Sequence, residues 1–243
     1  MTTTTGYNGR LGNQIIRNLA VSLIAEKNDL HVYYYNDYLI KRLGIHLFNG
    51  SKIYEKTYPL NDNNYFSLYN EKSISYNLDP NQSYFQTKEI IQVLYNYLHK
   101  DEIKSMIIEN NLYKDRYKNN HDLFIHIRLT DVAHFNPGIH YYLNAIQKVT
   151  FENLYISTDD KHHEIIQQIV NLYPNSYMID MDELNTIQFA TTNENIILSH
   201  GSFSAIIGYL SFFSTIYYPE YETNKMWYGD MFSIPNWNKL PVL

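Results

Sequence analysis

The chain has 243 residues, 44% of them hydrophobic and 18% charged, enough apolar surface for a sizeable core and too much for a disordered or collagenous protein. Its 19 Lys and Arg against 25 Asp and Glu leave a formal charge of −6, which argues against broad electrostatic capture of nucleic acid or an anionic membrane, so an anionic ligand must be held locally. With no Cys, disulfides, thiolate metal sites and cysteine nucleophiles are excluded.

The opening Met1-Thr2-Thr3-Thr4-Thr5-Gly6 has neither a basic nor an apolar leader segment. No stretch reaches the roughly 18 apolar residues of a membrane span, which predicts a soluble, cytoplasmic protein. A short strand at residues 2–5 leads through a turn at 6–12 into a helix over 13–26, where Ile15, Ile16, Leu19, Ala20, Leu23 and Ile24 form stripes that bury one face against a sheet. A strand is predicted at 31–35. Between 52 and 83 the pattern breaks at Asp62-Asn63-Asn64 and Asp79-Pro80-Asn81, which mark turns. Helices at 88–99 and 101–113 precede the polar segment 114–121, the candidate interdomain connection. From there strands at 123–129, 154–157, 177–179, 196–199 and 215–218 alternate with helices near 141–149, 161–172, 183–190 and 203–212. This alternation predicts an open, mainly parallel sheet with helices on both faces, a Rossmann-like pattern. The chain therefore reads as an α/β protein of two lobes with a cleft between them, residues 1–120 and 121–243.

In such a sheet, ligands bind beyond the carboxyl ends of the strands, where loops converge on helix N-termini. That rule selects His126 to Asp131, Ser157 to Asp160, Asp180 to Asp182, and Ser199 to Ser202. Arg128 leads, because its planar fork can hold two phosphate oxygens and stays charged; an ordinary ion pair is the plainer use of such a residue. Ser202 and Ser204 stand where a helix begins and suit either N-capping or phosphate. Asp159 and Asp160 suit capping or a ribose or base. Asp180-Met181-Asp182 spells a D-x-D triplet that could hold a divalent cation with a diphosphate, although such triplets arise by chance in acidic chains. His162-His163 with Glu164 lacks the spacing of a zinc site. The loop Gly6 to Gln14 carries three glycines at a strand-to-helix turn but is neither a Walker A sequence nor a true G-x-G-x-x-G.

Several of these segments share a pattern. Gly9-Arg10-Leu11-Gly12-Asn13-Gln14 resembles the G-x-L-G-N-Q signature of glycosyltransferase family 11, the α-1,2-fucosyltransferase-like enzymes. Tyr84-Phe85-Gln86 with Lys88 is similar to the family's Y-F-Q-S-E-K segment, and His126-Ile127-Arg128 with Asp131 to its H-x-R-x-G-D motif. Tyr141-Tyr142 with Ala145-Ile146 matches Y-Y-x-x-A-I, Ser157-Thr158-Asp159-Asp160 approximates S-D-D, and Ser202-Phe203-Ser204 matches S/T-F-S. Thr130, Leu129 and Ala205-Ile206 depart from the family's Gly, second Arg and Trp pair, which leaves the sugar's identity open.

The resemblance implies two Rossmann-like lobes of the GT-B kind. It also implies a nucleotide-sugar donor, GDP-fucose foremost, a glycan acceptor, inversion at the anomeric carbon and no metal or other cofactor. By the same resemblance Arg128 grips the pyrophosphate, assisted by Ser202 and the backbone at Phe203. His126 and one of Asp159 and Asp160 face the nucleoside. The loop of Gly9, Arg10, Gly12, Asn13 and Gln14 closes the cleft from the acceptor-side lobe, residues 1–120, against the donor-side lobe, residues 121–243. Asp131 is the nearest carboxylate to serve as base, or else orients Arg128. A transferase of the same fold using another GDP-hexose, and a binding protein that has lost turnover, are the alternatives. The 25 Tyr and 11 Phe supply flat surfaces, and Tyr33 to Tyr35 and Trp227 are candidates for stacking on an acceptor, with packing as their plainer role.

Overall fold

A computed structural model describes residues 2–81, 83–221 and 230–242, so Trp227 lies outside the described residues. The chain divides into two compact units, Met1–Asn110 and Asn111–Leu243.

In the first unit β1 (Thr3–Thr4) runs into α1 (Leu11–Asn28) and returns as β2 (Val32–Tyr33), parallel to β1. The short helix α2 (Asp37–Arg42) follows. A second parallel pair, β3 (Thr57–Pro59) and β4 (Asn77–Asp79), brackets α3 (Tyr65–Asn70), and α4 (Lys88–Leu98) and α5 (Asp101–Asn110) complete the unit. The amphipathic face predicted for α1 is only part of its burial. Gln14, Arg17, Asn18, Ser22 and Asn28 are buried as well. A helix enclosed on nearly all sides must satisfy its polar side chains internally, and each one ties down a loop. Arg17, 1% exposed, donates to the Thr5 carbonyl at 2.8 Å, the Asn81 carbonyl at 2.9 Å and the Ser83 carbonyl. Burial pulls its pKa below the ordinary arginine value.

The second unit is one all-parallel sheet. Its elements are β5 (Leu123–Ile127), α6 (Ile139–Gln147), β6 (Leu154–Thr158), α7 (Glu164–Leu172), β7 (Tyr177–Met178), α8 (Glu183–Ala190), β8 (Asn195–Ile197), α9 (Ser202–Tyr209), β9 (Thr215–Pro219) and β10 (Asn238–Leu240). The strands lie in the order β10-β9-β8-β5-β6-β7. Counted from β5 as the first, this is 3-2-1-4-5-6 reversed in direction of reading, the doubly wound order whose switch point falls between β5 and β8. Leu123 of β5 is paired with Leu154 on one side and Asn195 on the other. Leu123, Ile125 and Ile127 turn to one face, where they meet Tyr141, Ala145 and Ile146 of α6 and Ile165 and Ile169 of α7. Phe124 turns to the other face and meets Phe189 of α8.

Two sequence expectations are corrected here. The sheet has a sixth strand, β10, which Asn238-Lys239-Leu240 did not reveal because a mostly exposed edge strand carries no apolar alternation. The division between units falls after Asn110 rather than within 114–121. Asn111 donates to the Gln188 carbonyl at 2.9 Å, and Arg116 holds Asp122 at 2.7 Å and Thr192 at 3.1 Å. The polar segment is thereby bound into the second unit. No helix among the described residues is long and apolar enough to cross a membrane.

Candidate functional site

The site forms at the carboxyl ends of β5 and β8. The chain leaves β5 at Arg128, and its main chain is fastened from several directions. The Arg128 N–H donates to Ser199 Oγ at 3.3 Å, and the Arg128 carbonyl accepts from Asn136 Nδ2 at 2.9 Å. The Leu129 N–H and the Thr130 hydroxyl donate to the two oxygens of Asp159 at 2.6 and 2.5 Å. Asn136 also donates to the buried Tyr142 hydroxyl at 3.0 Å, which shares a hydrogen bond of 2.8 Å with Ser199. Three loop side chains thus hold one three-residue turn, two of them joined through Tyr142 of α6.

The Arg128 side chain is 12% exposed. Its Nε and Nη2 donate to Asp131 Oδ1 at 3.2 and 2.7 Å, and Nη2 also reaches Oδ2 at 2.9 Å. The other corner of the fork points elsewhere. Nη1 lies 3.6 Å from where a Cβ on Gly201 would stand. Gly201 is the N-cap of α9, with φ 89°, no side-chain capping bond and no acidic residue in the first turn of the helix. A guanidinium therefore abuts a helix N-terminus whose N-cap residue is a glycine with no side chain to cap it, and both favour an anion.

The groups around this cation are mostly neutral. His126 is buried, shares a 2.5 Å hydrogen bond with Ser204 Oγ and packs 5.1 Å from the Phe203 ring. Burial depresses its pKa to about 3, with Arg128 adding to the effect and Asp159 opposing it. His200 is fully buried beside Ser199 Oγ at 3.2 Å, and burial together with Arg128 lowers it to about 4. Burial opposes ionisation of Asp159, but the bonds from Thr130 and the Leu129 N–H outweigh it and hold the carboxyl below its usual value. Charge at this edge is concentrated in Arg128 and its two carboxylate neighbours.

The structure thus brings His126, Arg128, Asp131, Asp159, Ser202 and Phe203 together at one edge. Asp160 stands apart in role: it accepts from the His162 N–H at 3.0 Å and shapes the turn before α7. Neither Asp of the D-x-D triplet is idle, since Asp180 pairs with Lys161 at 2.9 Å and Asp182 caps α8 through the Asn185 N–H at 2.7 Å. His163 caps α7 by accepting from the Ile165 N–H at 3.2 Å. The strand-end rule selects Ser199 and His200 without giving them a role, and Asn136 falls outside it. Ser199 meets Arg128 and Tyr142 from 71 and 57 residues away, whereas Asn136 meets the same two residues from within eight positions, in a loop that carries no motif.

In the first unit, Gly9, Arg10, Gly12, Asn13 and Gln14 form the entry into α1. Gly9 has φ 75°, and a Cβ there would fall 2.2 Å from Asn13 Nδ2, so both conformation and space require glycine. Asn13 accepts from Gln86 Nε2 at 2.8 Å, which ties the signature loop to the Tyr84-Phe85-Gln86 segment.

No family model and no curated protein matches this sequence. Among solved structures, the chain is similar in fold to the selenomethionine form of the fucosyltransferase NodZ from Bradyrhizobium, with a TM-score of 0.55 and 11% identity over 88% of this chain and 92% of that one. A second structure of NodZ from Bradyrhizobium gives a TM-score of 0.39 and 13% identity over 60% of this chain and 55% of the other. NodZ α-1,6-fucosyltransferase soaked with GDP-fucose gives 0.35 and 14% over 56% and 51%. The first of these likenesses shows the fold: an α/β chain with helices flanking a parallel sheet, of the GT-B kind.

Proposed function

We propose that this protein is an inverting glycosyltransferase that moves a sugar, fucose foremost, from a GDP-sugar to a glycan hydroxyl, without a metal. The observation that carries the reading is the meeting of the Arg128 fork with the glycine at the N-terminus of α9 at the switch point of the sheet. The motif series of the fucosyltransferase-like family supports it, as does the fold likeness to a fucosyltransferase.

Glycosyl transfer passes through an oxocarbenium-like state while negative charge grows on the departing diphosphate. Donors fixed before the bond breaks stabilise that charge most, because they need no reorganisation. Arg128 and the first turn of α9 supply this positive potential, which is the service a divalent cation performs elsewhere. Asp131 takes the role of orienting residue here: with both oxygens on the guanidinium, it sets the fork's direction.

The test is a panel of GDP- and UDP-sugars assayed for nucleotide release with and without EDTA. GDP-fucose turnover that survives EDTA is the expected result; strict dependence on a divalent cation overturns the metal-free mechanism. A second reading, a nucleotide-sugar binder without turnover, draws on the pairing of Asp131 with Arg128, which leaves no evident base. Such a protein binds GDP and releases none from any sugar nucleotide at high protein concentration.

A further inference from the structure

Among the described residues, the strongly exposed tyrosines are Tyr7, Tyr33, Tyr35, Tyr38, Tyr58 and Tyr177, and four of the six gather at one edge of the first unit. Tyr33, the last residue of β2, faces outward between the buried Val32 and Tyr34, whose hydroxyl donates to the Phe48 carbonyl at 2.5 Å, and the turn that follows exposes Tyr35. The Tyr7 ring, in the loop after β1, stands edge-on to Tyr35 at 5.3 Å, and Tyr38 follows in the first turn of α2. Because β1 and β2 are parallel, this is the carboxyl edge of the ribbon, where loops rather than strands face outward.

The backbone beneath the rings is built to hold them still. Tyr35 donates its N–H to Thr5 Oγ1 at 2.9 Å, and its carbonyl accepts from Asn18 Nδ2 at 2.8 Å. Gln14 joins the two loops: its Nε2 donates to the Gly9 carbonyl at 2.7 Å, and its Oε1 accepts from Asn36 Nδ2 at 2.8 Å. Asn36 itself is held in the left-handed region at φ 57°, a strained setting for a non-glycine residue that fixes where α2 departs. Beside Tyr33 opens a cavity of about 350 Å³ with Asp37, Lys41 and His46 on its walls. That volume falls in the range of small-ligand pockets, roughly 300–1,000 Å³. Asp37 and Lys41 stand one helical turn apart with opposite charges, so the pocket offers donors and acceptors without a net field for an anion.

A fixed aromatic platform next to a charge-balanced polar pocket matches the chemistry of a neutral pyranose, whose C–H face lies on a ring while its hydroxyls reach carboxylate, ammonium and imidazole. We propose that this edge binds a neutral saccharide, with Tyr7, Tyr33 and Tyr35 as the stacking surface and Gln14 as the residue that keeps their loops in register. Only the naming of that saccharide as the acceptor rests on the proposed transferase reading.

The experiment is saturation-transfer NMR on the full chain with lactose, N-acetyllactosamine and chitobiose as probes, with a GDP titration in parallel. Transfer from tyrosine ring protons to the sugar C–H protons of at least one probe is expected, and Tyr7→Ala with Tyr33→Ala weakens it by about tenfold while the Tyr33→Phe variant, which keeps the ring, retains it. GDP affinity stays unchanged in all three. Both alanine positions are about 70% exposed, at 71% and 70%, so the fold survives the change. Absence of transfer to every probe, or transfer indifferent to the alanine variants, overturns the proposal. So does a change of oligomeric state in Tyr33→Ala by sedimentation, since a second copy of the chain then covers the face. Sugar binding without GDP binding leaves this inference standing and defeats the donor site; GDP binding without sugar binding does the reverse.

Discussion

Arg128 carries a charge that must serve two partners. Its Nε–Nη2 side is bound to Asp131 while Nη1 faces the head of α9. Arg128→Ala is expected to lower turnover by about a hundredfold or more, the cost of losing a fixed donor to developing charge, as read by nucleotide release. Arg128→Lys does not rescue it, because a point charge cannot span both partners. Asp131→Asn is expected to weaken GDP binding and raise the donor KM; a loss confined to kcat with GDP affinity intact makes Asp131 the base. The two histidines give a pH signature. Folded His126 and His200 resist protonation down to about 3 and about 4, whereas unfolded histidines take up protons near 6.5. The unfolded state therefore binds more protons below pH 6.5, and stability, full above that pH, falls as the pH is lowered toward 4, by roughly 1.4 kcal/mol per unit for each histidine. Urea titrations at pH 7 and pH 4.5 measure the loss, and His200→Asn removes one of its two contributions while His126 keeps the other.

At the scale of elements, the helix ends decide most. Gly201→Ala places a Cβ at φ 89°, a conformation costing about 1–3 kcal/mol, and is expected both to lower the melting temperature and to weaken GDP binding as the head of α9 shifts. In the first unit, Arg17→Met strips the donor from three carbonyls, at about 1–3 kcal/mol for the buried Thr5 carbonyl and less for those of Asn81 and Ser83, which water can reach. Thermal melts of that variant report the sum. Elements such as α4 and α8 were legible because their starts are local: Thr87 accepts from the Ile90 N–H, and Asp182 caps α8. The burial of α1 was not. Its apolar stripes announce one buried face, but enclosure of Arg17 and Asn18 depends on carbonyls brought back to them from Tyr35, Asn81 and Ser83.

At the scale of the whole molecule, the hydrogen bonds from Asn136, Leu129 and Thr130 and to Ser199 that fasten Arg128 and Asp159 join residues within Asn111–Leu243. A fragment of residues 111–243 is accordingly expected to unfold cooperatively in denaturant and to bind GDP, as isothermal titration would show; an aggregated or non-binding fragment contradicts that independence. The amino-acid sequence by itself determined the alternation of strands and helices in this unit and the residues placed after each strand, because periodicity and capping act over a few neighbouring positions. It also determined which chemistry was absent, since a chain without Cys has no thiolate to offer. Only the tertiary structure decided the strand order that sets β8 beside β5, and with it the meeting of Arg128 with Gly201, more than seventy positions further along the chain. It alone decided how the carboxylates are spent, Asp131 on Arg128 and Asp159 on Leu129 and Thr130, and that His126 and His200 stay neutral. Partner choice and desolvation depend on what packs nearby in space, and spacing along a chain does not encode that distance.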